Sequence, residues 1–283
     1  MKKQFIYFLI TLLVAGISSC VKEIQLDLPP YKTKLVVNGE MNNNETVSLE
    51  VSQSYAVLSD DSTYILSDAT AKLYEDNAFI GTMSYFDLRY IYNYKPIPGK
   101  KYRIEVTHPK FDPVTVNVEV PATVPATASY IDSVGLDNQG FPIGQLTVSF
   151  KDNPSQKNYY EFLIRYYDAG IMKWFPLDIA SNDPVFLNNE KQDNGGYSFS
   201  DATFNGANKV IKIPVIFGTV NGTPKFEISI KSVGEEYFRY MEQVREYESN
   251  RSNFDITPII MNSNVNNGLG MVGGVSNFKD TLK

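Results

Sequence analysis

The chain is nearly without the side chains that carry most metal and nucleophile chemistry. Its 283 residues include one cysteine, one histidine and one tryptophan. A lone cysteine cannot close an intrachain disulfide, so no disulfide framework is available. With one histidine, a zinc site would rest mostly on carboxylates, an unusual ligand set. A Ser-His-Asp triad would have to use His108, and no glycine-flanked nucleophile elbow accompanies it. Thr107-His108-Pro109 ends a strand pattern, so His108 is expected to be a solvated loop residue. The longest apolar run, Phe5 to Ile17, is about 13 residues, short of the roughly 17–25 that span a bilayer. Lysine and arginine (26) are outnumbered by aspartate and glutamate (32) and form no basic patch, which argues against nucleic acid as a partner. No glycine-rich loop with a lysine leads from a strand into a helix, so no phosphate cradle is expected.

What is present begins with the amino terminus. Met1-Lys2-Lys3 precedes the apolar run, and Ile17-Ser18-Ser19-Cys20 closes it with small residues before the cysteine. This order resembles the signal peptide and lipobox of bacterial lipoproteins. The resemblance implies cleavage after residue 19, a diacylglycerol thioether on Cys20 and acylation of the new terminus. Two or three chains on one residue anchor stably, where one would bind reversibly. An acylated Cys20 leaves no free thiol for catalysis or metal binding. Losing Lys2 and Lys3 leaves 24 basic against 32 acidic residues, a formal charge near −8. An acidic surface does not hold anionic lipid, so the acyl chains must do the anchoring. Residues 20–33 read as a lipidated tether, and Leu28-Pro29-Pro30 favours extended backbone. Lys22-Glu23 weakly matches lysine-plus-acidic surface-export signals, and equally a solvated linker.

From Lys34 onward the pattern has the two-residue period of strands. Lys34–Glu40, Thr46–Ser52, Ala69–Glu75, Ala78–Met83, Tyr102–Thr107 and Val114–Val120 alternate apolar and polar residues, with Asp76-Asn77 and Pro98-Gly99 as turns. They define a first β-sandwich at 34–121. Pro121–Ala128 reads as a connector. Ser129–Val134, Gln145–Phe150, Asn158–Asp168, Val210–Phe217 and Lys225–Ser232 form a second set within 122–283, with spacing similar to fibronectin-type sandwiches. The expected fold is therefore all-β: two tandem immunoglobulin-like or fibronectin-like modules and one short C-terminal helix. That helix is expected near 235–248, with Phe238, Met241, Val244 and Tyr237 on one stripe and Glu235-Glu236 at the positive end of its dipole. Residues 176–208, rich in Asn, Asp, Ser and Gly, read either as a functional loop or as an insertion. A glycine-rich tail carries Gly268, Gly270, Gly273 and Gly274.

The order of these motifs is similar to one family. Glu23-Ile24-Gln25-Leu26-Asp27-Leu28-Pro29 follows the cysteine, then Leu35-Val36-Val37-Asn38-Gly39, Ala69–Asp76, Pro98–Val106 and Asn267-Gly268-Leu269-Gly270. Together they resemble the Bacteroidetes lipoproteins catalogued as domain of unknown function 4249. Here Met271-Val272-Gly273-Gly274 stands where that family more often has an aromatic. The resemblance implies an outer-membrane lipid-anchored protein, periplasmic-facing or cell-surface-exposed, encoded beside TonB-dependent transporters. It carries no catalytic or ligand residues with it.

The resulting expectation is a non-enzymatic binding or accessory lipoprotein associated with a TonB-dependent transporter. It has no catalytic residue, no cofactor and no metal; its membrane contact is through acyl chains on Cys20. The alternative is a structural or adhesive envelope module. A glycan-active enzyme would need two carboxylates facing across a cleft; Asp60-Asp61 and Glu235-Glu236 have ordinary turn and helix-start readings, and Trp174 and Phe175 read as core or sheet edge. Asp137-Asn138-Gln139-Gly140 and Asp193-Asn194-Gly195-Gly196 lack the spacing of a full calcium loop and read as turns. Asp61-Ser62-Thr63, Asp132-Ser133-Val134 and Asp280-Thr281-Leu282 resemble short O-glycosylation sequons, which must be exposed to be used.

Overall fold

Alternating burial along the strands sorts the side chains into two cores. In the computed structural model, which describes residues 31–55, 65–187, 191–192, 194–216, 224–250 and 259–282, seventeen strands carry the fold. The first half holds β1 (Leu35–Asn42), β2 (Val47–Gln53), β3 (Thr70–Glu75), β4 (Ala78–Thr82), β5 (Ser84–Phe86), β6 (Arg89–Tyr92), β7 (Lys101–His108) and β8 (Phe111–Glu119). The second holds β9 (Ala126–Leu136), β10 (Pro142–Lys151), β11 (Tyr159–Asp168), β12 (Lys173–Pro176), β13 (Tyr197–Ser200), β14 (Asn208–Ile216) and β15 (Phe226–Val233). A four-residue helix α1 (Pro184–Leu187) precedes β13, and α2 (Glu235–Asn250) follows β15. The tail supplies β16 (Val265–Asn266) and β17 (Val272–Leu282). The architecture is all-β with sandwiched sheets, as the alternation predicts.

One large sheet runs through both halves in the order β12-β11-β15-β17-β1-β2-β6-β5, with β13 also on β11. A five-stranded sheet, β16-β8-β7-β3-β4, closes the first core around Val37, Leu49, Leu73, Ile104 and Val116. A three-stranded sheet, β14-β10-β9, closes the second around Val148, Phe162, Ile164, Ile213 and Ile228. Val120 seals the first core and Val124 the second, so the connector is pinned from both sides.

The tail joins the halves. β17 runs antiparallel to β15 from Val275 to Leu282 and parallel to β1 from Val272 to Val275. Val265 and Val272 lie in the first core, across the 121/122 line. Glycine makes this passage fit: a Cβ on Gly274 would lie 2.0 Å from the Glu119 carbonyl oxygen, and one on Gly273 would lie 2.4 Å from the Tyr237 ring. Residues 33–283 form one compact unit.

Two segments differ from expectation. Much of 176–208 is core rather than loop: Leu177, Ile179, Val185, Phe186, Tyr197, Phe199 and Phe204 are buried, and β13 pairs with β11. Burial of widely spaced apolar residues outweighs a polar composition there. His108 is buried instead of solvated, because β7 continues through it and pairs it with Phe111. Its ring packs on Phe111, Nδ1 accepts the Lys110 N–H, and Nε2 lies 3.0 Å from Asp68. With Nδ1 an acceptor, Nε2 carries a proton and donates to Asp68, and this hydrogen bond holds the Asp68 carboxyl below its ordinary range.

Candidate functional site

One set of exposed apolar residues lies at one end of the second sandwich, and another, with Phe79, Phe86 and Leu88, lies along β4–β6. β11 ends at Asp168, opposite Lys173 of β12, and Phe226 pairs with both Tyr166 and Leu282, so the 169–172 turn lies at this end of the large sheet. In the facing sheet, Leu136 pairs with Pro142 and Ile143 with Ile216. The Tyr130–Phe226 ring contact (5.1 Å) near this end, and Phe150–Tyr160 (5.4 Å) at the other, align the two sheets. The 137–141 and 169–172 turns therefore share one end, here called the apex.

At the apex Leu136 is 65% exposed, Phe141 55%, Ile171 56% and Met172 76%. Met172 also has φ +54°, in the left-handed region that costs an L-residue with a Cβ about 1 kcal/mol or more. Asp168 Oδ1 accepts the Gly170 and Ile171 N–H groups, which holds that turn in shape. Asp137 Oδ1 does the same for Gln139 and Phe141, both at 2.8 Å. Both carboxylates are thus turn caps, and the hydrophobic side chains are carried on hydrogen-bonded turns rather than on loose loops.

The apex lies far from where the chain enters β1. Leu35 is four residues before Gly39, the partner of Val272, and Leu282 is ten beyond it. At about 3.3 Å per residue, the path from Leu35 to Leu282 is about 45 Å along the strands.

A second concavity lies where the start of α2 meets the first sandwich. Adjoining cavities of about 550, 390 and 190 Å³ share Glu236. Their charges are largely paired: Lys100 with Asp76, Lys101 with Glu119, and Arg239 with Glu235. The hydrogen bond from Lys100 holds the Asp76 carboxyl below its usual range. Burial pushes the Tyr102 phenol up, while its hydroxyl donates to Glu75 at 2.8 Å. These are the bonds of a joint between modules.

The other sequence-selected residues scatter. Cys20, the 1–19 segment, most of the 20–33 tether, Asp60-Asp61, Asp61-Ser62-Thr63 and Asp193 lie outside the described residues. On the short edge strand β12, Trp174 packs in a tilted contact against Tyr167 of β11, and Phe175 against Tyr166. Asn194 caps its own turn by accepting the Gly196 N–H. Asp132-Ser133-Val134 is exposed on β9, as are Asp280 and Thr281 on β17. Among the described residues no three His, Cys, Asp or Glu side chains are placed to hold a metal ion, and no helix is long and apolar enough to cross a membrane. The residues missed from sequence are Leu136, Phe141, Ile171 and Met172; the available signal was a large apolar residue directly after Gly140 and after Gly170.

Fold and surface define an all-β sandwich protein with an apolar apex. The chain belongs to the family described as Domain of unknown function (DUF4249), whose profile matches residues 21–281. Among solved structures it is similar to the Clostridium thermocellum CbhA fibronectin(III)-like modules, at 12% identity over 71% of this chain and 85% of that one, with a TM-score of 0.26. It is also similar to chitinase ChiA74 from Bacillus thuringiensis, at 16% identity over 68% of this chain and 28% of that one, with a TM-score of 0.17. Overlaps this low carry no argument about function. No curated protein matches.

Proposed function

We propose that this is a lipid-anchored outer-membrane protein that acts without catalysis, as a binding or accessory partner of a TonB-dependent transporter. Cys20 supplies the anchor in this reading, and the apex supplies the contact. The observation that carries it is the set of exposed apolar side chains held on capped turns about 45 Å along the sheet from the chain's entry into β1. Burying one such side chain at a partner contributes about 1.5–3 kcal/mol, so a single polar substitution is sufficient to weaken the complex measurably.

The test has two arms. Cys20→Ala is expected to abolish incorporation of labelled palmitate and move the protein from the membrane to the soluble fraction. Met172→Asp and Phe141→Asp, in an otherwise wild-type chain, are expected to keep the anchor and lose co-purification of the transporter. Retained acylation in Cys20→Ala, or undiminished co-purification in the apex variants, contradicts the proposal.

A further inference from the structure

We infer that the tip of the β5–β6 hairpin touches the lipid surface to which the chain is tied, with Phe86 and Leu88 seated at the headgroup boundary of the bilayer. The inference rests on the anchor at Cys20 proposed above, and its surface is separate from the apex. Phe86 is 70% and Leu88 57% exposed, at the turn of the hairpin that ends the large sheet. Phe86 pairs with Arg89, so Asp87 and Leu88 are the two turn residues. Both have positive φ, +47° and +65°. Turns of this kind are ordinarily made by Asn, Asp and Gly. A leucine there is strained, and its side chain is left largely in solvent, so nothing inside the fold offsets the strain.

The tip points toward the end of the sheet where the chain enters. Leu35 pairs with Gln53 and Val37 with Val51, while Leu49 pairs with Tyr90 of β6. Leu88, two residues before Tyr90, is therefore level with Val51 and Val37. At about 3.3 Å per residue and 4.8 Å per strand, it lies about 15 Å from Leu35. Cys20 and Leu35 are 15 residues apart. A flexible chain of that length averages about 20 Å end to end and reaches at most about 50 Å. A bilayer holding Cys20 is thus within easy reach of the tip, whereas the apex lies about 45 Å along the strands in the other direction. Phe79 is not part of this tip: it sits near the Asp76-Asn77 turn, with its ring edge-on against Tyr74.

The shape of the tip suits lipid. A two-residue turn is narrow and convex, far below the roughly 800 Å² a side that a standard protein–protein interface buries. Asp87 and Arg89 flank the apolar pair, and charges are costly in hydrocarbon, so insertion stops where the apolar side chains meet the headgroups. Arg89 is turned back toward β2: its Nε donates to Ser48 Oγ at 2.5 Å and its Nη2 to the Ser48 carbonyl oxygen at 3.3 Å. Two apolar side chains alone hold a soluble protein on a bilayer only weakly. Tied by the anchor, their contact becomes intramolecular, and they set the orientation of the protein rather than its attachment.

The test uses the chain from residue 20 onward with Trp174→Phe, its one thiol coupled to a maleimide phosphatidylethanolamine in phosphatidylcholine vesicles. Coupling fixes the anchor chemically, so the result does not depend on whether the cell acylates Cys20. Loss of palmitate labelling bears on the anchor; this experiment bears on the tip alone. Phe86→Trp and, separately, Phe141→Trp place a single indole at the tip or at the apex. At an insertion of about 5–10 Å, lipid brominated near the headgroup is expected to remove at least about half of the Phe86→Trp fluorescence, and lipid brominated at the chain ends less. Phe141→Trp is expected to be unchanged by either. Adding Leu88→Gly to Phe86→Trp is expected to abolish most of the quenching while the protein melts no lower, since glycine relieves the positive φ; a folding defect cannot imitate that result. No quenching of Phe86→Trp, equal quenching at both positions, or quenching unaffected by Leu88→Gly would each overturn the inference. So would Phe86→Trp emission that shifts with protein concentration in the absence of vesicles, which marks contact with a second copy.

Discussion

Replacing Gly274 by alanine tests whether the tail strand is part of the first core. A Cβ there would lie 2.0 Å from the Glu119 carbonyl oxygen, 2.8 Å from its carbon and 3.1 Å from Val118 Cγ1. Ordinary contact requires more than 3 Å, so the backbones must separate by about 1 Å. Neither side is free to move. The Gly274 carbonyl accepts the Gly234 N–H at 3.0 Å, and the Val120 N–H beside Glu119 donates to Lys100 at 3.0 Å. Overpacking costs about 1–3 kcal/mol where side chains can yield; two fixed backbones put Gly274→Ala at the upper end, about 3 kcal/mol or more, or roughly 6–12 °C in Tm for a domain this size. Two controls bracket it. Gly99 has φ +83° and no neighbour within 4 Å, so Gly99→Ala is expected to cost about 1 kcal/mol from backbone strain alone. Gly135 has neither strain nor neighbour, so Gly135→Ala is expected to be neutral, or stabilising by up to about 1 kcal/mol. Urea denaturation of the three variants gives the order directly. If Gly274→Ala falls within about 1 kcal/mol of Gly135→Ala, β17 does not pass against Glu119 and the shared sheet is wrong.

Other perturbations probe separate parts of the fold. Asp183 receives Lys209 Nζ at 2.6 and 2.8 Å, with both side chains mostly buried, so Asp183→Ala is expected to cost about 3 kcal/mol by stranding the lysine, and Lys209→Met in addition to recover part of it in a urea double-mutant cycle. Asp87 and Leu88, at φ +47° and +65°, form the two-residue turn between β5 and β6, and Leu88 is largely exposed; Leu88→Gly is expected to raise stability by about 0.5–1 kcal/mol, seen as a higher Tm. Because the folded-state pKa of Asp76 is depressed, its pairing stabilises above the unfolded value near 3.8 and is lost as pH falls through the folded value. The stability gap between wild type and Asp76→Asn is therefore expected to be constant from about pH 5 to 7 and to shrink below about pH 4, measured by urea midpoints across pH.

The strands with clean two-residue alternation were legible because burial on one face is a local property. Val47, Leu49 and Val51 point inward from β2, and Leu146, Val148 and Phe150 from β10. The hairpin at Asp76-Asn77 was legible too, since both residues tolerate the positive φ they adopt, 45° and 71°. β17 was not legible. Val272-Gly273-Gly274-Val275 has weak strand propensity and becomes a strand only because β1 and β15 flank it. β13 was hidden for a similar reason: Tyr197 and Phe199 lie in a polar stretch and gain their strand from β11. The apex was half visible. Asp137 announced a turn, but which turns share an end depends on the facing of two sheets far apart in sequence, fixed by contacts such as Tyr130–Phe226.

The claim that the apex is the contact surface is tested most directly by site-specific photo-crosslinking in intact cells. A photo-reactive residue at position 172, and separately at 141, is compared with one at Thr127, which is exposed at the opposite end of β9. The account predicts a discrete crosslinked species containing an outer-membrane transporter from positions 172 and 141 and none from 127. Crosslinks from 127 alone, or none from 172 and 141 in membranes where the protein and transporter are both present, would contradict it.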